Sequence, residues 1–206
     1  MAVSRHLLVK VQGRAVEVQL DEVAGSSKGW AVVAHPHPLY GGTMDNKVVQ
    51  TLARAFVQAS WNCLRFNFRG VGQSEGTFDE GQGETQDLLA LVDHLAPSGP
   101  LALAGFSFGA FVATQALQAL WPGGRVQKTI LIGTAVPKFP APPLPEDAHP
   151  QALVVHGELD ETVPLAGLMD WARPQQLPIT VVPSGGHFFH GQLPLLKSLA
   201  LRHIQA

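Results

Sequence analysis

Leu101-Ala102-Leu103-Ala104-Gly105-Phe106-Ser107-Phe108-Gly109-Ala110-Phe111-Val112-Ala113 is the stretch on which the reading of the fold turns. A short run of small apolar residues, of strand length, leads into Gly-x-Ser-x-Gly, and a helix-forming run follows. In a strand-turn-helix of this kind the serine stands at the tip of a sharp turn. The flanking glycines are needed because a larger side chain would collide with the neighbouring strand and helix. Ser107 is thereby presented rather than packed. Five residues carry little on their own, so the weight falls on whether the rest of the chain supplies an acid and a histidine downstream.

Working outward, the same rhythm recurs. Before the elbow, apolar residues alternate from Arg5 to Leu20 on both sides of Gln12-Gly13, which predicts an antiparallel pair of strands at the edge of a sheet. A strand over Trp30–Ala34 then runs into His35-Pro36-His37-Pro38-Leu39-Tyr40-Gly41-Gly42, a loop by its prolines and glycines. A helix is predicted from about Asp45 to Ser60, a strand over Cys63–Phe68, and, after the glycine-rich loop from Arg69 to Gly76, a helix from about Gly83 to Leu95 with apolar residues at helical spacing. Beyond the elbow and its helix to Leu120 come a strand over Thr129–Ile132 and a proline-rich connection, Pro137 to Pro150. A strand over Ala152–Val155 leads into His156-Gly157-Glu158-Leu159-Asp160. A helix from Pro164 to Ala172, a strand over Ile179–Val182, the turn Ser184-Gly185-Gly186-His187 and a last helix to His203 complete the reading. Strands alternating with helices predict an α/β fold, a mainly parallel sheet covered on both faces, with ligands beyond the carboxyl ends of the strands.

The composition bounds the class. The 206 residues suit one α/β domain spanning 1–206, and a formal charge of −2 with scattered charges leaves no basic stripe for nucleic acid and no polybasic patch for a membrane. The first ten residues lack the apolar core of a signal peptide, and the lone cysteine, Cys63, has no partner for an internal disulfide, so a cytoplasmic protein is expected. Expected partners are a small-molecule acyl substrate and, at most, a second copy of the chain as a homodimer.

A serine hydroxyl needs a base to act as a nucleophile. His187 is the candidate, set behind two glycines that let the backbone turn and aim the imidazole; His190 is its rival and is assigned to the start of the last helix. The base needs a carboxylate to fix its tautomer, and Asp160 is preferred over its neighbours Glu158 and Glu161. An oxyanion needs preorganised N–H donors. Phe108 N–H, at the amino end of the elbow helix, is one. The second is sought in the loop beginning at His35, where Pro36 and Pro38 have no N–H to give. Of His37, Leu39 and Tyr40, Leu39 is preferred because prolines stiffen the chain ahead of it and Gly41-Gly42 lets it turn away. The histidines at 35, 37, 156, 187 and 190 lie on separate loops with no Asp or Cys at ligand spacing, and the Gly70-x-Gly72 loop lacks the residues of a phosphate cradle, so neither metal nor cofactor is expected.

Taken together, Pro36–Asn46, Phe66–Gly76, the elbow, His156–Pro164 and Gly186–Gly191 resemble the small α/β-hydrolases related to dienelactone hydrolase. The resemblance implies an eight-stranded, mostly parallel sheet with its second strand antiparallel, the triad Ser107, Asp160 and His187 in the chain order of that fold, and cofactor-free hydrolysis of carboxylic esters through an acyl-enzyme. It departs from dienelactone hydrolase in carrying serine, not cysteine, at the elbow. Where relatives insert a lid, Pro137–Pro150 is short and proline-rich, so an open site is expected, with Tyr40, Phe139 and Phe188 as apolar walls and Phe106 as either wall or core. A thioesterase, a small amidase or peptidase, or a non-catalytic binding scaffold are the alternatives.

Overall fold

The structure is a computed structural model and describes residues 2–206. Strands β1 (Val3–Val11) and β2 (Arg14–Glu22) pair antiparallel along their whole length, Val3 opposite Glu22 and Val11 opposite Arg14. Gln12 and Gly13, both at positive φ, form the tight connection. Then follow β3 (Trp30–Ala34), α1 (Lys47–Gln58), β4 (Asn62–Phe66), α2 (Gln82–Leu95), β5 (Leu101–Phe106) and α3 (Phe108–Leu120). The chain ends with β6 (Val126–Ile132), β7 (Ala152–Gly157), α4 (Leu165–Ala172), β8 (Thr180–Val182) and α5 (Leu193–Gln205). The eight strands lie in the order β1-β2-β4-β3-β5-β6-β7-β8. β2 runs antiparallel to both of its neighbours and the pairings from β4 to β8 are parallel.

Side chains alternate across each strand, and both faces are buried. Leu101 and Leu103 of β5 face a core shared with Leu88 and Leu91 of α2 and Val112 of α3. Ala102, Ala104 and Phe106 face the other core, with Leu52 and Phe56 of α1 and Leu196 of α5. This two-sided burial is why β5 reads as a continuous apolar run. The helix bounds follow their caps: α1 begins two residues later than the sequence suggests because the Asn46 side chain accepts from Val48 N–H and ends the loop there. The last helix starts at Leu193, so His190 lies ahead of it in a turn rather than on it.

The strand order positions the site. β3 is followed by β4 on one side and β5 by β6 on the other, so the connections leaving β3 and β5 diverge and open a crevice at their carboxyl ends. His35 and Ser107 are the residues that follow these strands. Residues 137–150 carry no inserted domain; they run along the surface and end in a short 3-10 turn, Glu146–Gln151. No helix among the described residues is long and apolar enough to cross a membrane.

Candidate active site

Ser107 holds φ 56° and ψ −117°, a conformation that a side-chain-bearing residue adopts only when its surroundings enforce it. The enforcement is visible. Ser107 N–H donates to Ile132 O (2.8 Å), and Ser107 O accepts from Ala110 N–H (3.0 Å), which locks the turn between β6 and α3. The glycines are there for close approach: a Cβ on Gly105 would lie 2.2 Å from Gly109 O, and one on Gly109 would lie 2.3 Å from Ala34 O at the end of β3. The sheet and α3 thus meet through bare backbone, and Ser107 is pushed to the floor of the crevice, 6% exposed.

Two further loops reach this serine. His187 Nε2 stands 3.0 Å from Ser107 Oγ, and His187 Nδ1 stands 2.6 Å from Asp160 Oδ2. The other carboxylate oxygen, Oδ1, accepts from Thr162 N–H (2.9 Å) and Val163 N–H (2.8 Å), so Asp160 is held by its own loop and aimed by it. Burial pushes the Asp160 carboxyl up, but the bonds from His187 and Val163 and the nearby imidazoles outweigh it and hold the pKa below the ordinary carboxylate value. His156, fully buried at the end of β7, donates from Nε2 to Val163 O (2.8 Å) and lies 3.5 Å from Asp160 Oδ2.

The acid and histidine loops are also stitched to each other. Leu159 N–H donates to Gly185 O (2.8 Å), and the Glu158 carboxylate accepts from Ser184 N–H (2.9 Å). Glu158 is therefore engaged in holding the histidine loop, and Glu161 is exposed; of the three candidate acids only Asp160 touches His187. Phe106 is core: its ring is fully buried and packs against the His187 imidazole at 4.9 Å between centroids.

The cavity above Ser107 measures about 100 Å³ and is lined by Pro36, His37, Tyr40, Gly41, Gly42, Asn46, Thr162, His187 and Phe188, of which Tyr40 and Phe188 are exposed at the rim. Tyr40 and Phe188 thus stand where the sequence puts them. Phe139 does not: it stacks on Phe111 (5.2 Å, 23°) and packs edge-on against Phe108 behind the His35 loop, lining a separate cavity with Trp171. The expectation for Leu39 is also corrected. Pro38–Tyr40 form a 3-10 turn in which Leu39 N–H donates to the Nδ1 of His37 (3.2 Å), and the Leu39 side chain is 68% exposed outside the cavity. Tyr40 N–H and Gly42 N–H are likewise turned inward, to His37 O. Of the three donors that the sequence offers, only the N–H of His37, a cavity-lining residue, has no acceptor among the described residues; Gly41 N–H, at the far end of the 3-10 turn, is likewise without one. Phe108 N–H, in the first turn of α3, is free of any intrahelical acceptor.

The His37 imidazole sits among Tyr40, Phe78 and Phe108, with ring centroids 4.6, 4.8 and 5.1 Å away. Burial, with the Lys138 ammonium nearby, holds its pKa below the ordinary imidazole value. A neutral ring keeps Nδ1 available to Leu39 N–H. Behind this loop lies a polar brace that the sequence does not announce: Asn67 accepts from Met44 N–H (2.9 Å) and donates to the buried Glu17 carboxylate (2.7 Å), while Arg65 donates to Met44 O (3.0 Å).

A serine, a histidine and a carboxylate in one hydrogen-bonded row, opening on a small cavity at the sheet's crevice, are joined by likeness to known proteins. The chain belongs to the serine α/β hydrolases: the sequence profile of the family described as "Serine aminopeptidase, S33" matches residues 32–164. A lidless α/β serine hydrolase from Xanthomonas campestris is 34% identical over 98% of this chain and 94% of that one, with a TM-score of 0.86. An α/β serine hydrolase homologue from Coxiella burnetii is 32% identical over 96% of both chains, with a TM-score of 0.79. The esterase Est1E of Butyrivibrio proteoclasticus, solved with ferulic acid bound, shares the fold (TM-score 0.79) at 16% identity over 95% of this chain and 96% of that one. An uncharacterized protein of Rickettsia prowazekii is 49% identical over 89 residues, 41% of this chain; the match spans 37% of that relative's length.

Proposed function

We propose that the protein hydrolyses carboxylic esters of short acyl groups through a Ser107-His187-Asp160 triad. The observation that carries this is the row of 3.0 and 2.6 Å contacts joining the three side chains at the floor of an open cavity. In this reading Ser107 Oγ attacks the acyl carbonyl while His187 Nε2 takes its proton. Asp160 accepts from Nδ1–H and stabilises the imidazolium that forms. The tetrahedral oxyanion is met by the N–H groups of Phe108 and His37, preorganised by helix and loop. His187 returns the proton to the departing alkoxide, and water, activated by the same imidazole, frees the acyl group.

The small cavity favours short acyl groups. About 100 Å³ holds on the order of three water-sized groups, which suits acetyl to butyryl chains. The cavity shares Gly41, Asn46 and Phe188 with a groove of about 300 Å³ that also carries Thr43, Asp45, Lys47 and His190 and offers room for the leaving alcohol. Ester cleavage is favoured over aminopeptidase action because no residue lining the cavity itself carries a carboxylate to pair with a substrate's terminal ammonium, and the one in the adjoining groove, Asp45, already faces the Arg65 guanidinium at 3.4 Å.

The test is fluorophosphonate labelling of the wild type beside Ser107→Ala, followed by kcat/KM for aryl esters from acetyl to decanoyl. Labelling confined to the wild type and a fall in kcat/KM beyond butyryl are expected. Equal labelling of both proteins would remove Ser107 from the mechanism, a rising series would contradict the small cavity, and preference for aminoacyl amides would favour the peptidase.

A further inference from the structure

We propose that His35 is a positioning residue for the oxyanion site: by holding the Pro36 carbonyl through its Nδ1–H it turns the next N–H, that of His37, toward Ser107. The inference rests on the reading above that His37 N–H meets the oxyanion.

His35 is fully buried at the end of β3, with its ring against that of Phe68 at 4.3 Å between centroids. Both ring nitrogens are engaged. Nε2 faces Phe68 N–H at 2.9 Å, and Nδ1 faces Pro36 O at 2.6 Å. An amide N–H can only donate and a carbonyl can only accept, so Nε2 is the bare nitrogen and Nδ1 bears the proton. The two contacts therefore fix one neutral tautomer. Burial drives the His35 pKa down to about 3, so this tautomer persists across the range in which an esterase is assayed.

The consequence follows from peptide geometry. The Pro36-His37 peptide is planar and trans, which sets its C=O and N–H on opposite sides. The Pro36 carbonyl is directed to the His35 ring and packs against the backbone of Gly42, where a Cβ would lie 2.1 Å from its oxygen. The N–H of the same peptide is left facing the other way, with His37 on the cavity wall beside Ser107. Neither Pro36 nor Pro38 supplies an N–H, so the loop has no adjacent donor to substitute if this peptide rotates. His35 touches neither Ser107 nor the cavity; it acts through the peptide it holds.

Two substitutions separate the two bonds. In His35→Gln the side-chain amide reaches the position of Nε2 and can still accept from Phe68 N–H, but leaves the Pro36 carbonyl unheld. In His35→Asn the amide occupies the position of Nδ1 and can donate to that carbonyl. With a p-nitrophenyl acetate assay, His35→Gln should lower kcat about 10²-fold, the effect of losing one oxyanion donor, with KM within about threefold; His35→Asn should stay within about tenfold of wild type. Binding of a short alkyl boronic acid, which forms a tetrahedral adduct on serine, should weaken in parallel with kcat. Equal losses in the two variants, or losses that track melting temperature or fall on KM, would make His35 merely structural and overturn the proposal. A further readout needs neither turnover nor a variant: ¹⁵N spectra of the wild type should show the His35 proton on Nδ1, and a proton on Nε2 overturns the proposal. Absence of Ser107-dependent hydrolysis in the wild type would instead refute the esterase reading, while the tautomer would still report on whether His35 holds the Pro36 peptide.

Discussion

His37→Pro is the sharpest perturbation of the oxyanion loop. The residue has φ −52°, within the range a proline ring imposes, and its N–H has no acceptor among the described residues. Proline therefore deletes the donor proposed to meet the oxyanion and little else from the backbone. The side chain is lost as well, with its contact to Leu39 N–H and its aromatic neighbours, so His37→Ala is the reference, since it loses the same imidazole and keeps the N–H. The ratio of the two variants isolates one hydrogen bond to a developing charge, worth about 3 kcal/mol or 10²- to 10³-fold in kcat. The assay is p-nitrophenyl acetate hydrolysis under saturation, with melting temperatures taken in parallel because a proline also restrains the residue before it. Activities of His37→Pro and His37→Ala within about fivefold of each other, in equally stable proteins, would refute the donor role, since a lost oxyanion contact costs far more.

Asp160→Asn should lower kcat by about 10⁴-fold by favouring the wrong imidazole tautomer, whereas Glu161→Gln, at an exposed position, should leave it unchanged; stopped-flow or steady-state rates decide, and the opposite pattern would move the acid. Gly109→Ala would drive a Cβ to 2.3 Å from Ala34 O, so expression in soluble, cooperative-melting form is not expected; a variant as stable as wild type would show that the strand-helix approach is looser than described. Acid should destabilise the fold through His35. Its pKa is about 3 when folded and about 6.5 when unfolded. The unfolded chain therefore binds the extra proton between these values, and stability is full above about pH 6.5 and falls as the pH drops toward 3. The buried His156, also held below its ordinary value by burial, adds in the same direction. Urea midpoints measured from pH 7 to 4 should decline, with a shallower slope in His35→Asn; a flat profile would contradict a buried neutral imidazole.

Much of this architecture is written in local pattern. Two-sided burial leaves continuous apolar runs at β3, β5 and the end of β6, Ile130–Ile132, and close packing of strand against helix demands Gly105 and Gly109, so the elbow and its sheet are legible in the residues themselves. Ser107, Asp160 and His187 are legible for a related reason: each lies in the segment that follows a strand, and parallel strands deliver those segments to one edge. The direction of a peptide plane is not encoded in this way. Around Pro36 and Pro38 the sequence offers His37, Leu39 and Tyr40 as N–H donors, and the stiffening by the prolines points to Leu39. A 3-10 turn closed onto the His37 side chain and carbonyl decides among them by consuming the N–H groups of Leu39 and Tyr40. Phe139 escaped for a similar reason, since an aromatic in a proline-rich connection can stack inward or outward, and Phe111 supplies the inward partner. The brace formed by Asn67, Glu17 and Arg65 joins two strands, the residue following one of them and a loop far apart in the chain, and no spacing rule connects them.

The unroofed crevice above Ser107 has a bearing on the fate of the acyl group once it is attached. An enzyme that closes over its acyl-serine can choose which nucleophile is admitted next, and so can pass the acyl group to an alcohol or amine in preference to water. With Tyr40 76% exposed and Phe188 45% exposed at the rim, and no segment among the described residues placed to cover them, the proposed acyl-enzyme would lie open to any nucleophile in solution. Partition would then follow concentration and intrinsic nucleophilicity alone, with water the most abundant acceptor. In the proposed mechanism the short surface path of residues 137–150 would thus bear on reaction type as well as on substrate size, by leaving the choice of nucleophile to the solution, and a sheltering insertion grafted there is the change that would shift it toward acyl transfer.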